Sequence, residues 1–170
     1  MKPIINMRET TEKDTEFLRE IFYEAIFVPE GEEKPDFSIV DDPALQKYTY
    51  HWMLPTDMGV IAEMDGEPVG MLWTRIFPEK DKGYGFLDEH TPEISMAVKP
   101  ERRGRGIGKA LLTKGLNLLR KQGHEKVSLS VSKENRSAVA LYLSQDFAIA
   151  KENQTDYVMV KDLKDNQGWK

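Results

Sequence analysis

Apolar residues recur along the chain with two periods, and the switches between them outline the elements. Ile4–Arg8 predicts a short opening strand. Thr11 and Asp14 have the spacing of a capping box, with a carboxylate three residues after the hydroxyl. Phe17, Leu18, Ile21, Phe22, Ala25 and Ile26 then repeat at helical spacing, which predicts a first helix to about Ile26. Pro29–Pro43 holds paired glutamates and paired aspartates between prolines and reads as a loop. It leads towards a second helix through Leu45, Tyr48 and Trp52. Gly59–Met64, Asp65-Gly66 and Pro68–Ile76 predict a β-hairpin, because Asp-Gly supplies the two positive-φ positions of a tight turn. Pro68 is tolerable at the start of its strand.

A polar excursion runs from Phe77 to Pro92. Glu93–Val98 is the next predicted strand, ended by Pro100. After the loop Glu101–Arg105, Ile107, Leu111, Leu112, Leu116, Leu118 and Leu119 form the apolar face of a helix that stops at Lys121 and Gly123. Lys126–Val131 alternates as a strand, and Asn135–Gln145 is helical with Ala138, Leu141 and Tyr142 on one face. Phe147–Ala150 and Tyr157–Val160 predict short closing strands. The order β-α-(α)-ββ-β-α-β-α-β-β describes an α/β chain of the α+β kind, a mixed sheet with helices packed on it.

Length and charge narrow what such a chain does. A length of 170 residues suits a single domain, 1–170, able to bury a full core. With 39% hydrophobic and 31% charged residues it has the composition of a soluble globular protein. No cysteine is present, which excludes disulfides, thiolate metal sites and a cysteine nucleophile. His51, His90 and His124 lack ligand spacing, so no metal is expected. No apolar run is long enough for a membrane span, and Lys2 has no apolar stretch behind it, so a cytoplasmic protein is expected. A net charge of −5 argues against a nucleic-acid partner. Lys99 to Lys109 departs from that average, with five cations against Glu101 for a local net of +4. Positive charge concentrated in a glycine-rich window suits an anion.

That window runs Val98-Lys99-Pro100-Glu101-Arg102-Arg103-Gly104-Arg105-Gly106-Ile107-Gly108-Lys109. A strand ends, a loop of arginines and glycines follows, and an amphipathic helix begins at once. The first amides of a helix lack internal acceptors and its dipole makes that end positive. Glycines let a phosphate approach the backbone, so the window is a candidate pyrophosphate seat. It is not a Walker loop, since only three residues separate Gly104 from Gly108-Lys109 and Ala110 follows. Nor is it a dinucleotide fingerprint, which would need glycine where Lys109 stands.

Arg103-x-x-Gly106-x-Gly108, directly after Val98-x-Pro100, resembles the pyrophosphate-binding motif of the GNAT N-acetyltransferase superfamily. Asn135-x-x-Ala138-x-x-Leu141-Tyr142 followed by Phe147 looks like that family's second coenzyme A motif. The resemblance implies a GNAT-like acyltransferase fold: a central, mixed but mostly antiparallel sheet flanked by helices, with splayed central strands. It implies acetyl-CoA as co-substrate and no metal. The backbone of Met96, Ala97 and Val98 would pair with the pantetheine arm as with an added strand. Val98's amide would polarise the thioester carbonyl. The amides of Arg103, Gly104, Arg105, Gly106, Ile107 and Gly108 would hold the pyrophosphate, with Lys109 and the arginines screening the remaining charge. Asn135 reads either as a helix cap or as a pantetheine ligand, and the two are compatible.

By the same resemblance Tyr142 is the general acid for the departing thiolate; the plainer reading is a core tyrosine. Glu93 stands where the family often places its base. Its phase is awkward, because Met96 and Val98 share a face with Ile94 unless a bulge intervenes. The plainer reading of Glu93 is a strand-edge charge, and Glu89 and His90 are rivals. One departure is visible, for Asp146 occupies the position before Phe147 where the family usually has glycine.

The acceptor is expected to be a small-molecule amine that attacks the thioester directly in a ternary complex. Alternatives are a protein lysine or N-terminus, or a non-catalytic acyl-CoA sensor. Its specificity would come from Phe27–Trp52 and Phe77–Pro92. Glu30 to Asp42 holds six carboxylates against Lys34, a net of −5 that would attract a cationic acceptor or form a solvated loop. Trp52, Trp73 and Tyr84 line a pocket or fill the core, and a homodimer is left open.

Overall fold

The computed structural model describes residues 4–164. Seven strands run in the order β1-β2-β3-β4-β5-β7-β6, mostly antiparallel. They are β1 (Ile5–Glu9), β2 (Met58–Met64), β3 (Glu67–Arg75), β4 (Glu93–Val98), β5 (Lys126–Ser132), β6 (Ala148–Glu152) and β7 (Asp156–Asp162). The helices are α1 (Thr15–Ala25), α2 (Ile107–Lys121) and α3 (Arg136–Ser144). The described residues divide into two compact units: 4–75 with Ser95–Gly115, and Ile76–Ile94 with 116–164.

In the first unit the expected capping box is present. Thr11 accepts from the Lys13 amide and Asp14 accepts from the Thr11 amide at 2.8 Å. A single turn of 3-10 helix then leads into α1. Arg8 grips Asp14 through two hydrogen bonds and holds its carboxyl below the usual range, so this clamp persists above the carboxylate range and loosens only as acid protonates Asp14. α1 buries Leu18, Ile21 and Phe22, and the Phe22 ring meets Tyr48 and Trp73 at 5.7 and 6.0 Å.

The hairpin forms as expected, with Asp65 and Gly66 at φ +53° and +83°. Its register shifts between Ala62 and Glu63, which pair with Gly70 and Pro68 and leave Val69 bulged. The bulge accommodates Pro68, which has no amide for the ladder.

The second helix expected through Leu45, Tyr48 and Trp52 does not form. Phe37–Asp41 and Gln46–Tyr48 are short 3-10 segments joined by turns. Asp42 caps the Ala44 amide, and His51 and Met53 take positive φ of 57° and 74°, which a continuing helix forbids. Tyr48 and Trp52 are nevertheless buried. Successive turns reproduce the spacing that the sequence shares with a helix.

In the second unit β5 pairs with β7 from Lys126↔Asp162 to Ser132↔Asp156, and β7 pairs with β6 around a register shift between Ile149 and Lys151. Glu93 at the start of β4 pairs in parallel with Ser128, the one registered pair of β4 with β5 among the described residues. Gly85 lies against the β5 backbone, where an added Cβ would sit 2.6 Å from the Leu129 carbonyl carbon. α2 ends in a Schellman motif, with Gly123 at φ +88° and the His124 amide donating to Leu119 O. Leu118, expected on the buried face of α2, is only half-buried.

α3 ends in the same motif with a different residue at the left-handed position. The Phe147 amide donates to Tyr142 O, the Asp146 amide to Leu143 O, and Asp146 takes φ +68°. The apolar contact that accompanies such a cap is the Phe147 ring on Tyr142, at 5.5 Å. Aspartate pays for this conformation where glycine would not. Asp146→Gly is therefore expected to stabilise the protein by up to about 1 kcal/mol. Thermal unfolding would show a midpoint higher by about 2–4 °C, and a lower midpoint would contradict the strain.

Candidate active site

Two strand edges decide what β4 can bind. The Lys99 amide donates to Val69 O at 2.8 Å, and a Cβ on Gly70 would lie 3.1 Å from Ala97 O. Residues 97 and 99 thus turn their backbone groups towards β3. Strand alternation turns those of Met96 and Val98 to the opposite edge. Gly70 permits the close approach of β3 to β4, and a Cβ there would also press on Leu111 of α2 at 3.1 Å. A glycine interrupting the apolar run of β3 was the signal for this contact, and sequence reasoning did not use it.

From Val98 the chain makes one 3-10 turn over Pro100–Arg102 and enters the glycine loop. Gly104 and Gly106 take φ of +77° and +80°, and nothing lies within 4 Å of where either Cβ would be. The loop is exposed from Arg103 to Gly106, and α2 starts at Ile107, which is buried and anchors the helix end. The amides of Ile107, Gly108 and Lys109 precede the first intrahelical donor, Ala110, which bonds Gly106 O at 3.1 Å, so they and the helix dipole face outwards. The Arg103 amide donates to Pro100 O at 3.4 Å. These open, left-handed glycines before a helix N-terminus fit a pyrophosphate in shape and in charge.

The remaining expected site residues lie in the second unit. Asn135 is the N-cap of α3, its side chain accepting from the Ala138 amide at 3.4 Å. Tyr142 is the one buried residue of α3. Burial alone pushes its phenol up to about 12, so it keeps its proton through the neutral range. Glu93 is buried, and its carboxylate packs over Gly83, where a Cβ would collide with Glu93 Oε1 and lie 2.8 Å from the Phe77 ring. By the regular alternation of a strand, Glu93 shares a face with Ser95 and Ala97. Of its rivals, Glu89 accepts from the Glu79 amide at 2.8 Å, and His90 is exposed.

The expected acceptor segments also acquire definite geometry. Three of the six carboxylates between Glu30 and Asp42 hold local structure: Asp36 caps Ser38, Asp42 caps Ala44, and Asp41 accepts from Arg19 and from the Tyr50 hydroxyl. The Arg19 guanidinium holds the Asp41 carboxyl below its ordinary range. Trp52 and Trp73 are buried and donate to Thr11 O and Tyr48 O, so they belong to the core, whereas Tyr84 is exposed.

A strand edge with outward backbone groups, running into a glycine loop and a helix N-terminus, could hold an extended chain that ends in an anion. The chain belongs to the acetyltransferase (GNAT) family, whose model matches residues 17–147. A mycothiol acetyltransferase of Streptomyces coelicolor is 37% identical over 82 residues, 48% of this chain and 24% of that protein. A mycothiol acetyltransferase of Saccharomonospora viridis is 33% identical over 114 residues, 66% of this chain and 37% of that protein. The match therefore spans well under half of these relatives' length.

Among solved structures, the PaiA N-acetyltransferase of Thermoplasma acidophilum in complex with coenzyme A superposes with TM-score 0.70 at 20% identity, covering 94% of this chain and 99% of that one. YncA of Salmonella typhimurium with its cofactor acetyl-CoA gives TM-score 0.69 at 19% identity, covering 95% of both chains. At such identities the likeness is one of fold. Among the described residues no helix is long and apolar enough to cross a membrane.

Proposed function

We propose that the protein is an acetyl-CoA-dependent N-acetyltransferase that acetylates a small-molecule amine. The observation that carries this reading is the continuity of the outward backbone groups of Met96 and Val98 with the left-handed Gly104 and Gly106 at the start of α2. The names of the mycothiol acetyltransferases support a small acceptor.

Bound here, acetyl-CoA supplies the activated thioester carbonyl. The backbone of Met96 and the amide of Val98 hold the pantetheine arm as an added strand, whereas Ala97, expected to join them, turns its backbone groups towards β3 and Val98 O accepts from Arg103. By the family resemblance Asn135, the cap of α3, is a further ligand of the arm. The Val98 amide donates to the thioester oxygen as negative charge develops on it. The loop Arg103–Gly108 seats the pyrophosphate, and Arg102, Arg105 and Lys109 supply countercharge. By the family resemblance, Glu93 is the candidate for taking the proton of the incoming amine, and Tyr142 the candidate for supplying the proton to the departing sulfur. With no cysteine for a covalent intermediate, the amine attacks directly in a ternary complex.

Incubation with acetyl-CoA and an amine panel, followed by a colorimetric thiol reagent, tests the reading without background from the protein, which has no thiol. Thiol release that depends on a small amine is the expected result. Release only with peptides would move the acceptor to a protein amine. No release with any amine would end the transferase reading.

A further inference from the structure

The first arginine of the glycine loop points its side chain away from the loop. Arg103 Nε donates to Val98 O at 3.0 Å, and Nη2 donates to Glu24 O at 3.4 Å. Glu24 lies in the last turn of α1, so its carbonyl is one that the helix leaves without an internal donor, and a cation there is favoured by the dipole. Val98 ends β4. Its carbonyl belongs to the same peptide as the Lys99 amide, which donates to Val69 O at 2.8 Å. That peptide is therefore held from both sides, by β3 and by a planar guanidinium whose donors have fixed angles.

We infer that Arg103 is a positioning residue: it braces the last peptide of β4 against the C-terminal end of α1 and thereby orients the Val98 backbone for the thioester arm. This rests on the acetyl-CoA reading above. It separates Arg103 from its neighbours in the loop, because its two observed donors go to carbonyls and leave phosphate charge to Arg102, Arg105 and Lys109. It also ties the strand that holds the thioester to the helix from which the expected acceptor segment departs after Ile26. Lysine would keep the charge but present one tetrahedral ammonium, which cannot reproduce a fork spanning two carbonyls.

The two roles separate on a ligand that lacks phosphate. The full chain is titrated with coenzyme A and with pantetheine, followed by amide NMR, which needs no knowledge of the acceptor. Arg103→Lys and Arg103→Met are expected to weaken both ligands by the same factor, about tenfold for a lost charge-assisted hydrogen bond. Arg105→Met is expected to weaken coenzyme A alone. In both Arg103 variants the Val98 and Lys99 amide signals should move while that of Ile61 in β2 stays, which a general loss of folding would not produce. Loss confined to coenzyme A, or full rescue by Arg103→Lys, would overturn the positioning role and leave the acetyl-CoA reading intact. Wild-type protein that binds neither ligand would overturn both.

Discussion

Tyr142→Phe is expected to lower turnover by at least about tenfold while leaving affinity for coenzyme A almost unchanged. Phenylalanine keeps the ring that packs on Phe147 at 5.5 Å and keeps the apolar contact of the α3 cap, so the variant removes one hydroxyl from an otherwise intact helix end. Burial is the cause of the raised phenol pKa, about 12, so the group stays protonated wherever an assay is run. A phenol at that value is a weak acid towards a thiolate, whose ordinary pKa is about 8.5. The measurement is kcat with the best amine of the panel, beside a titration with coenzyme A. Unchanged kcat would return Tyr142 to the core and sink its catalytic role.

The same shift has a consequence for stability, and its sign is fixed by burial. The folded pKa lies above the ordinary value of 10, so the stability contributed by the neutral phenol is complete below pH 10 and is lost as pH rises from 10 towards 12. The phenylalanine variant should not share that alkaline loss. Comparing unfolding midpoints of the two proteins at pH 9 and pH 11 would detect it.

Much of the glycine loop's conformation was legible because its determinants are local. Gly104, Gly106 and Gly123 each stand where the backbone takes positive φ, and Asp65-Gly66 makes the expected turn within two residues. Strand β4 was legible to the residue, since Glu93 and Val98 bound it in sequence and in structure. Asp146 shows the limit of reading by type, for its left-handed φ follows from the helix end it occupies more than from its own preference. The segment from Leu45 to Trp52 was misread because the forces that shape it are distant. Its apolar spacing suits a helix, yet Lys47 O and Tyr50 O are held by Arg75, the last residue of β3, two strands further along the chain. The Glu24–Arg103 contact is equally invisible to periodicity, since it joins positions 79 residues apart. A charged residue closing the apolar run Met71-Leu72-Trp73-Thr74-Arg75 was the available sign that something non-local was anchored there.

That anchor carries the largest expected effect on stability. Arg75 donates from Nε and Nη2 to both oxygens of Asp57, at 3.1 and 2.8 Å, and from Nη1 to the carbonyls of Lys47 and Tyr50 at 2.8 and 2.7 Å. Asp57 also accepts from the Leu54 amide at 2.8 Å, and the two side chains are 6% and 0% exposed. Arg75→Met should cost about 3–5 kcal/mol, because it leaves a desolvated carboxylate and two carbonyls without their donor. Adding Asp57→Leu should recover part of that loss, since the pair itself contributes less than breaking it costs. Denaturant unfolding of both variants decides the point, and an Arg75→Met protein within about 1 kcal/mol of wild type would refute it.

The functional consequence follows from what the anchor holds. Between Lys47 and Asp57 the chain exposes Tyr50, Met53 and Leu54, and it keeps His51 and Met53 at positive φ, a conformation that persists only where the surroundings impose it. If this segment shapes the acceptor site, a variant that loosens it yet remains folded should raise KM for the amine while leaving coenzyme A affinity near wild type. Equal loss of both would mean that the anchor supports the fold as a whole and has no special relation to the acceptor.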